Sequence, residues 1–142
     1  MNWRVTDQHL LFGTGPAGYA AYYMSYFPTE AMATHSNYLD IIAQTGVVGF
    51  VLCIWFFISL AWQGYRLVSR LKGRGDFIEG MANAVFAGTI ACIVMMGFGD
   101  WLFPFAYTQT IAGFNYAVYN WIFMGTVLVI NRMTEAQPNK NA

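Results

Sequence analysis

Charged residues are scarce in this sequence. Of its 142 residues, 10% are charged and 57% are apolar, whereas soluble domains carry about 25% charged residues. This composition excludes an ordinary soluble domain and indicates a membrane protein. The formal net charge is zero, so the chain has no overall field that would attract a nucleic acid.

Cysteine is also scarce. Cys53 and Cys92 each lie inside an apolar run, without CxxC spacing and without a nearby histidine. We therefore expect both to pack as small apolar residues and expect no metal site. Residues 1–9 are polar and show no basic segment followed by an apolar one, so we expect no signal peptide.

Charge is missing altogether from three long stretches of the chain. These stretches predict three transmembrane helices, at about 41–62, 80–99 and 110–130. Each is close to the roughly 20 residues that an α-helix needs to cross about 30 Å of hydrocarbon. Helices are required because backbone polar groups in lipid must be paired within the segment.

The predicted fold class is therefore an all-α integral membrane protein. Its organisation is an outward-facing loop segment at 1–38, a three-helix region at 39–132 and a cytoplasmic tail at 133–142. The orientation follows from the basic residues, of which Arg4 alone precedes the first helix. The other six lie in the first loop or after the third helix, and the positive-inside rule assigns that side to the cytoplasm: Arg66, Arg70, Lys72, Arg74, Arg132 and Lys140.

Two patterns within the helices suggest packing. Small residues recur every four positions in the second helix, at Gly80, Ala84, Gly88 and Cys92, and such rows let helix backbones approach closely. In the third helix, asparagines and tyrosines at 115–120 bring polar groups to membrane depth. They predict structural hydrogen bonds, with substrate contact as the alternative.

The stretch 12–50 holds the residues that could carry chemistry. It opens with the glycine-rich turn FGTGPAG, and the tyrosines at 19–26 then suit a membrane interface or stacking on sugar rings. His35 follows at the outer end of the first helix, with Asp40 five residues later. A neutral imidazole at this boundary could accept a proton from a hydroxyl group. Asp40 could orient that imidazole or could end the helix at the lipid headgroups.

These residues resemble a known family. The pattern FGTGPAGY, then THSNYLDIIAQTGVVGF, is similar to the C-terminal signature of the O-antigen ligase and O-antigen polymerase superfamily. Those proteins have a glycine-rich stretch late in a large outward loop, a histidine motif, and then a Thr-Gly-x-x-Gly pattern where a helix begins. The resemblance covers about residues 10–60 and implies the C-terminal end of a polytopic GT-C-like glycosyltransferase.

The resemblance also implies roles for particular residues. Members move or polymerise glycan from undecaprenyl diphosphate onto an acceptor, and they use no metal or other cofactor. His35 would be the catalytic base on an acceptor hydroxyl. The implied substrate-binding residues are Arg4, Gly13, Gly15, Asn37 and Asp40. The partners would be the lipid-linked donor, a glycan or lipid acceptor, and an N-terminal portion or second membrane chain that supplies further arginines.

Family members are about three times as long and have about a dozen membrane helices. We therefore expect this chain to be the C-terminal portion of such an enzyme, inactive by itself. Two alternatives stay open, namely a non-enzymatic accessory membrane protein and a fragment of a transporter. The residues do not distinguish a ligase from a polymerase.

Overall fold

The chain folds into helices wherever its structure is described. The computed structural model describes residues 3–15, 18, 35–103 and 106–135, with the backbone alone at 3–5 and 106–112. Within these ranges there are four helices and no strand. They are α1 (Trp3–Gln8), α2 (Asn37–Leu71), α3 (Phe77–Met95) and α4 (Ala106–Glu135).

The prediction of three apolar helices is confirmed. Three helices in the described part are long and apolar enough to cross a membrane: Asn37–Leu71, Phe77–Met95 and Gly113–Glu135. The helices extend past the predicted bounds at five of their six ends, most of all where α2 continues to Leu71 instead of ending near position 62. α3 ends four residues before position 99, because residues 96–103 form a turn, and α4 runs past position 130 to Glu135.

α2 is broken at Gly46, a feature that the uncharged stretch did not predict. Gly46 has φ 66° and ψ −169° in the middle of the helix, a backbone conformation that is open to glycine and strained for other residues. We call residues 37–45 the half-helix and residues 47–71 the spanning arm. The spanning arm alone has enough residues to cross a bilayer.

The half-helix lies alongside the spanning arm. Tyr38 and Phe50 are 12 residues apart, which would place them about 18 Å apart along a straight helix. Their ring centroids are 6.3 Å apart instead, and Tyr38 also lines a cavity with Ile54 and Phe57. The chain therefore runs up the half-helix, reverses at Gly46 and descends through the spanning arm.

Residues 10–15, which we call the strap, pair with backbone groups next to this reversal. At the end of the half-helix, the carbonyl oxygens of Ala43 and Gln44 accept hydrogen bonds from the N–H groups of Thr14 and Gly15, at 3.1 and 2.9 Å. The hydroxyl of Thr14 also donates to the Ala43 carbonyl, at 3.2 Å.

The strap pairs with the start of the spanning arm in the same way. The N–H groups of Val47 and Val48 donate to the carbonyl oxygens of Leu10 and Leu11, at 2.8 and 3.3 Å. Groups at a helix break have no partner within the helix, and irregular backbone near lipid requires one. The strap therefore makes the reversal compatible with a membrane environment.

Two charged residues define the beginning of α3. Asp76 is the N-cap, and its carboxylate accepts from the Glu79 N–H at 3.0 Å. The Glu79 carboxylate accepts from the N–H groups of Gly73 and Gly75, at 2.9 and 2.7 Å. Each side chain thus satisfies backbone donors that the helix end and the preceding turn leave unpaired.

Buried apolar side chains join the three long helices in two clusters. The first includes Phe57 of the spanning arm, Met96 after α3 and Met124 of α4. The second includes Leu67, Val85 and Val127. Near the second cluster, Arg70 donates to the side chains of Asn131 and Thr134, at 2.9 and 2.6 Å. The end of the spanning arm and the end of α4 therefore lie at the same end of the bundle.

The small residues of α3 at positions 80, 84, 88 and 92 contact another helix in the second half of the row. Gly88 lies against Phe123, with 2.8 Å between the ring and the place a Cβ would occupy, and the Cys92 thiol donates to Asn120 at 3.3 Å. Gly80 has open space beside it and Ala84 is exposed. The prediction that the whole row contacts other helices is therefore wrong for its first half within the described bundle. There the buried positions are Ala82 and Val85.

Candidate functional site

His35 lies at the foot of the half-helix. It is exposed, and its φ of 50° makes it a non-glycine residue in the left-handed region. Such a conformation costs about 1–2 kcal/mol and is found preferentially at functional sites. Ser36 follows as the N-cap, so the imidazole precedes the first helical turn.

Asn37 is the most constrained polar residue near His35. Its side chain has no exposed surface. Its amide oxygen accepts from the N–H groups of Leu102 and Phe103, at 2.9 and 3.2 Å, and its amide nitrogen donates to the Phe103 carbonyl at 2.9 Å. Its own N–H donates to the Met96 carbonyl. The foot of the half-helix is thus bound to both ends of the 96–103 turn.

This turn carries a buried carboxylate. Asp100 is 5% exposed, and its Oδ1 has no hydrogen-bond partner among the described residues. A buried oxygen of this kind is costly unless something binds it. Asp100 is not among the predicted site residues, because an aspartate at the end of an uncharged stretch is typical of the boundary of a membrane helix. That same position was the available signal for a site.

The other predicted site residues lie elsewhere. Asp40 is buried one turn along the half-helix. The side chain of Arg4 lies outside the described part of the chain. Gly13 and Gly15 lie in the strap, and Gly15 bonds Gln44, which is seven residues, or about 10 Å of helix, beyond Asn37. The structure therefore separates the glycine motif from His35 by most of the half-helix.

The N–H groups of the two strap glycines already form hydrogen bonds within the chain. Gly13 donates to the His9 carbonyl at 2.7 Å, and Gly15 donates to Gln44. A Cβ at Gly13 would collide with the Gln44 backbone, and one at Gly46 would lie 2.6 Å from the Gly13 nitrogen. This close approach of two backbone segments is sufficient to explain why Gly13 and Gly46 are glycine, without any bound ligand. The role of Gly13 and Gly15 in substrate binding stays a prediction.

An apolar cavity lies beside the half-helix. Its volume is about 250 Å³, and seven residues line it: Tyr38, Ile54, Phe57, Ile58, Ala61, Ile90 and Ile93. The Tyr38 hydroxyl donates to the Ile93 carbonyl at 2.6 Å, so it is already paired. In the described ranges, no three His, Cys, Asp or Glu side chains come together as a metal ion would require.

These features define a three-helix membrane unit whose first helix begins with a folded-back half-helix. Comparison with protein-family models, with curated proteins and with solved structures finds no match for this chain. The resemblance to the O-antigen ligase and polymerase superfamily therefore stays a prediction based on its motifs.

Proposed function

We propose that this chain is the C-terminal portion of a membrane glycosyltransferase of the O-antigen ligase or polymerase type. The observation that carries the proposal is the arrangement at the foot of the half-helix. There an exposed, strained histidine is joined through buried Asn37 to a turn that bears the buried carboxylate of Asp100. An exposed imidazole on a segment that buried hydrogen bonds hold in place suits the deprotonation of a sugar hydroxyl.

The proposed reaction is glycan transfer from undecaprenyl diphosphate. His35 removes the proton from an acceptor hydroxyl while that oxygen attacks the anomeric carbon of the donor. The bond from this carbon to the diphosphate oxygen breaks, and undecaprenyl diphosphate leaves with the bonding electrons. Arg4, with arginines from an N-terminal portion or a partner chain, stabilises the diphosphate charge.

The orientation belongs to the same proposal. Arg66, Arg70, Lys72 and Arg74 lie at the end of the bundle where α4 finishes. We place this basic end in the cytoplasm, by the positive-inside rule, and the His35 end at the outer face of the inner membrane of a bacterium. Lipid-linked glycans and their acceptors would meet His35 on that side.

Replacing His35 by alanine in the chromosomal gene tests this function. We expect glycan transfer to fall by about 10²- to 10⁴-fold, which is the usual contribution of a general base. The product would be followed as lipid- or polymer-linked glycan on gels, with membrane levels of the tagged chain measured in parallel. His9→Ala is the matched control, because His9 precedes the strap, and it should leave transfer unchanged. Normal transfer by His35→Ala would reject His35 as the base.

A further inference from the structure

Asn37 holds together two segments that are far apart in the sequence. Its side chain makes three hydrogen bonds to the backbone at Leu102 and Phe103, which lie 65 and 66 positions away. Its oxygen thus accepts two hydrogen bonds and its nitrogen donates one. A side chain that is fully buried and bonded in this way has no surface left for a substrate.

The half-helix is held by hydrogen bonds at both ends, so a shift of Asn37 relative to the 96–103 turn would also move His35. The strap bonds its upper end at Ala43 and Gln44. At its foot, the Tyr38 hydroxyl bonds the Ile93 carbonyl, and the Asn37 N–H bonds the Met96 carbonyl at 2.9 Å. A short helix held at two ends has little freedom to tilt, so its first residues are fixed relative to α3.

The 96–103 turn is also held from α4. The Asn120 amide nitrogen donates to the Trp101 carbonyl at 2.8 Å, and the Trp121 indole donates to the Leu102 carbonyl at 3.1 Å. These bonds fix the turn to α4 but do not reach the half-helix. The Asn37 side chain connects this turn with the segment that carries His35.

We propose that Asn37 is a positioning residue, which fixes His35 relative to the turn that carries Asp100. It acts through the backbone and does not touch the substrate. This inference rests on the proposed function for its catalytic meaning. The physical coupling between His35 and the turn can be measured without any reaction.

Asn37→Asp is the variant of choice, because aspartate has the same shape. It keeps both acceptor bonds and replaces the donor to the Phe103 carbonyl by a second oxygen, which repels that carbonyl. Asn83→Asp is the matched control, since Asn83 is exposed and its amide bonds the Glu79 carbonyl of its own helix. Both variants would be made in the chain as it is expressed from its own gene.

Two readouts test the coupling. Hydrogen exchange at the Leu102 and Phe103 amides reports the turn, and the rate at which diethyl pyrocarbonate modifies His35, followed by mass spectrometry, reports the histidine. In Asn37→Asp we expect exchange to rise by about tenfold, as for the loss of one hydrogen bond, and the His35 modification rate to change with it. Faster exchange with an unchanged His35 rate would overturn the proposal.

A third readout separates positioning from substrate contact. We expect Asn37→Asp to lower kcat for glycan transfer by about 10- to 100-fold with KM little changed, as for a misplaced catalytic group. A raised KM with unchanged exchange would mean that Asn37 binds substrate, and would overturn the proposal. If His35→Ala transfers normally, the proposed function fails, while the exchange and modification rates still decide the coupling.

If Asn37→Asp does not accumulate, the unaltered chain provides the test. The exchange rate at Leu102 and Phe103 and the modification rate of His35 should then change together as denaturant is added, because one opening event frees both the turn and the segment that carries His35. Independent midpoints for the two signals would overturn the proposal.

Discussion

Asp76 shows how one residue at a helix end can make stability depend on pH. Its carboxylate accepts a hydrogen bond from the Glu79 N–H, and Arg74 lies 2.8 Å from its Oδ2. The backbone bond from Glu79, followed by the Arg74 bond and charge, lowers the pKa of Asp76 below its usual range. A lowered pKa means that the charged form is favoured in the folded chain.

The sign of the pH effect follows from this shift. Because the folded pKa lies below the unfolded value, the stabilisation is present above the unfolded pKa and is lost as the pH falls through the folded pKa. We expect hydrogen exchange in the first turn of α3 to accelerate below about pH 4, after correction for the intrinsic exchange rate. Asn caps helices without titrating, so Asp76→Asn should weaken this dependence. The remainder comes from Glu79, because the hydrogen bonds from Gly73 and Gly75 also lower its pKa. An equal pH response in both chains would contradict the assignment.

At the scale of elements, the close approach of the strap to the reversal explains why Gly13 and Gly46, 33 positions apart in the sequence, are both glycine. Gly13 and Gly15 both have positive φ, 69° and 82°, yet they differ in their surroundings. A Cβ at Gly13 would collide with the Gln44 backbone, whereas one at Gly15 would meet nothing within 4 Å. The two positions therefore separate the cost of the backbone angle from the cost of the close approach.

This difference gives a matched pair of substitutions. Gly13→Ala and Gly15→Ala should each cost about 1–2 kcal/mol for the left-handed backbone. Gly13→Ala should cost about 1–3 kcal/mol more, because its methyl group forces the strap away from the half-helix. Hydrogen exchange at the Val47 and Val48 amides, which bond the strap, measures the difference. Equal exchange in the two variants would mean that the strap does not depend on the close approach.

Hydropathy predicted the helices because it depends on composition, which the membrane constrains strongly. It could not predict the reversal, since Ile41 and Val51 are equally apolar whether the helix continues or folds back at Gly46. The burial of Asn37 could not be predicted from neighbouring residues either, because its hydrogen-bond partners, Leu102 and Phe103, are distant in the sequence.

At the scale of the whole molecule, the bundle leaves most of its apolar surface exposed. Between 17% and 28% of the residues in the most apolar window of each spanning helix are buried. The exposed side chains of the spanning arm and α4 are bulky, as at Trp55, Trp62 and Phe114. α3 exposes bulky side chains as well, such as Phe77 and Val94, together with the small residues Gly80 and Ala84. Lipid or further helices must cover these surfaces, because the exposure of so much apolar surface to water would be unfavourable.

The arrangement of the ends makes a prediction about sidedness. Because Arg70 bonds Thr134 and Glu135, the turn before α3 and the end of α4 lie at one end, and the 96–103 turn lies at the other. Three exposed residues mark these ends: Phe77 and Met133 lie at the first, and Phe98 lies in the 96–103 turn at the other. Cysteine substitutions there, in a chain with Cys53 and Cys92 replaced by alanine, can be labelled with a maleimide that does not cross membranes.

Intact cells should label Phe98→Cys, whereas Phe77→Cys and Met133→Cys should react after the membrane is permeabilised. Because Phe77 and Met133 lie at the same end of the bundle, the structure requires both cysteines to be labelled from the same side of the membrane. The distribution of basic residues predicts that this side is the cytoplasm. Different sides for Phe77→Cys and Met133→Cys would contradict the three-helix arrangement itself. A common side that faces outward would keep the fold but move His35 to the cytoplasm, where it could not reach acceptors on the outer face. The labelling pattern therefore tests the fold and the proposed reaction separately.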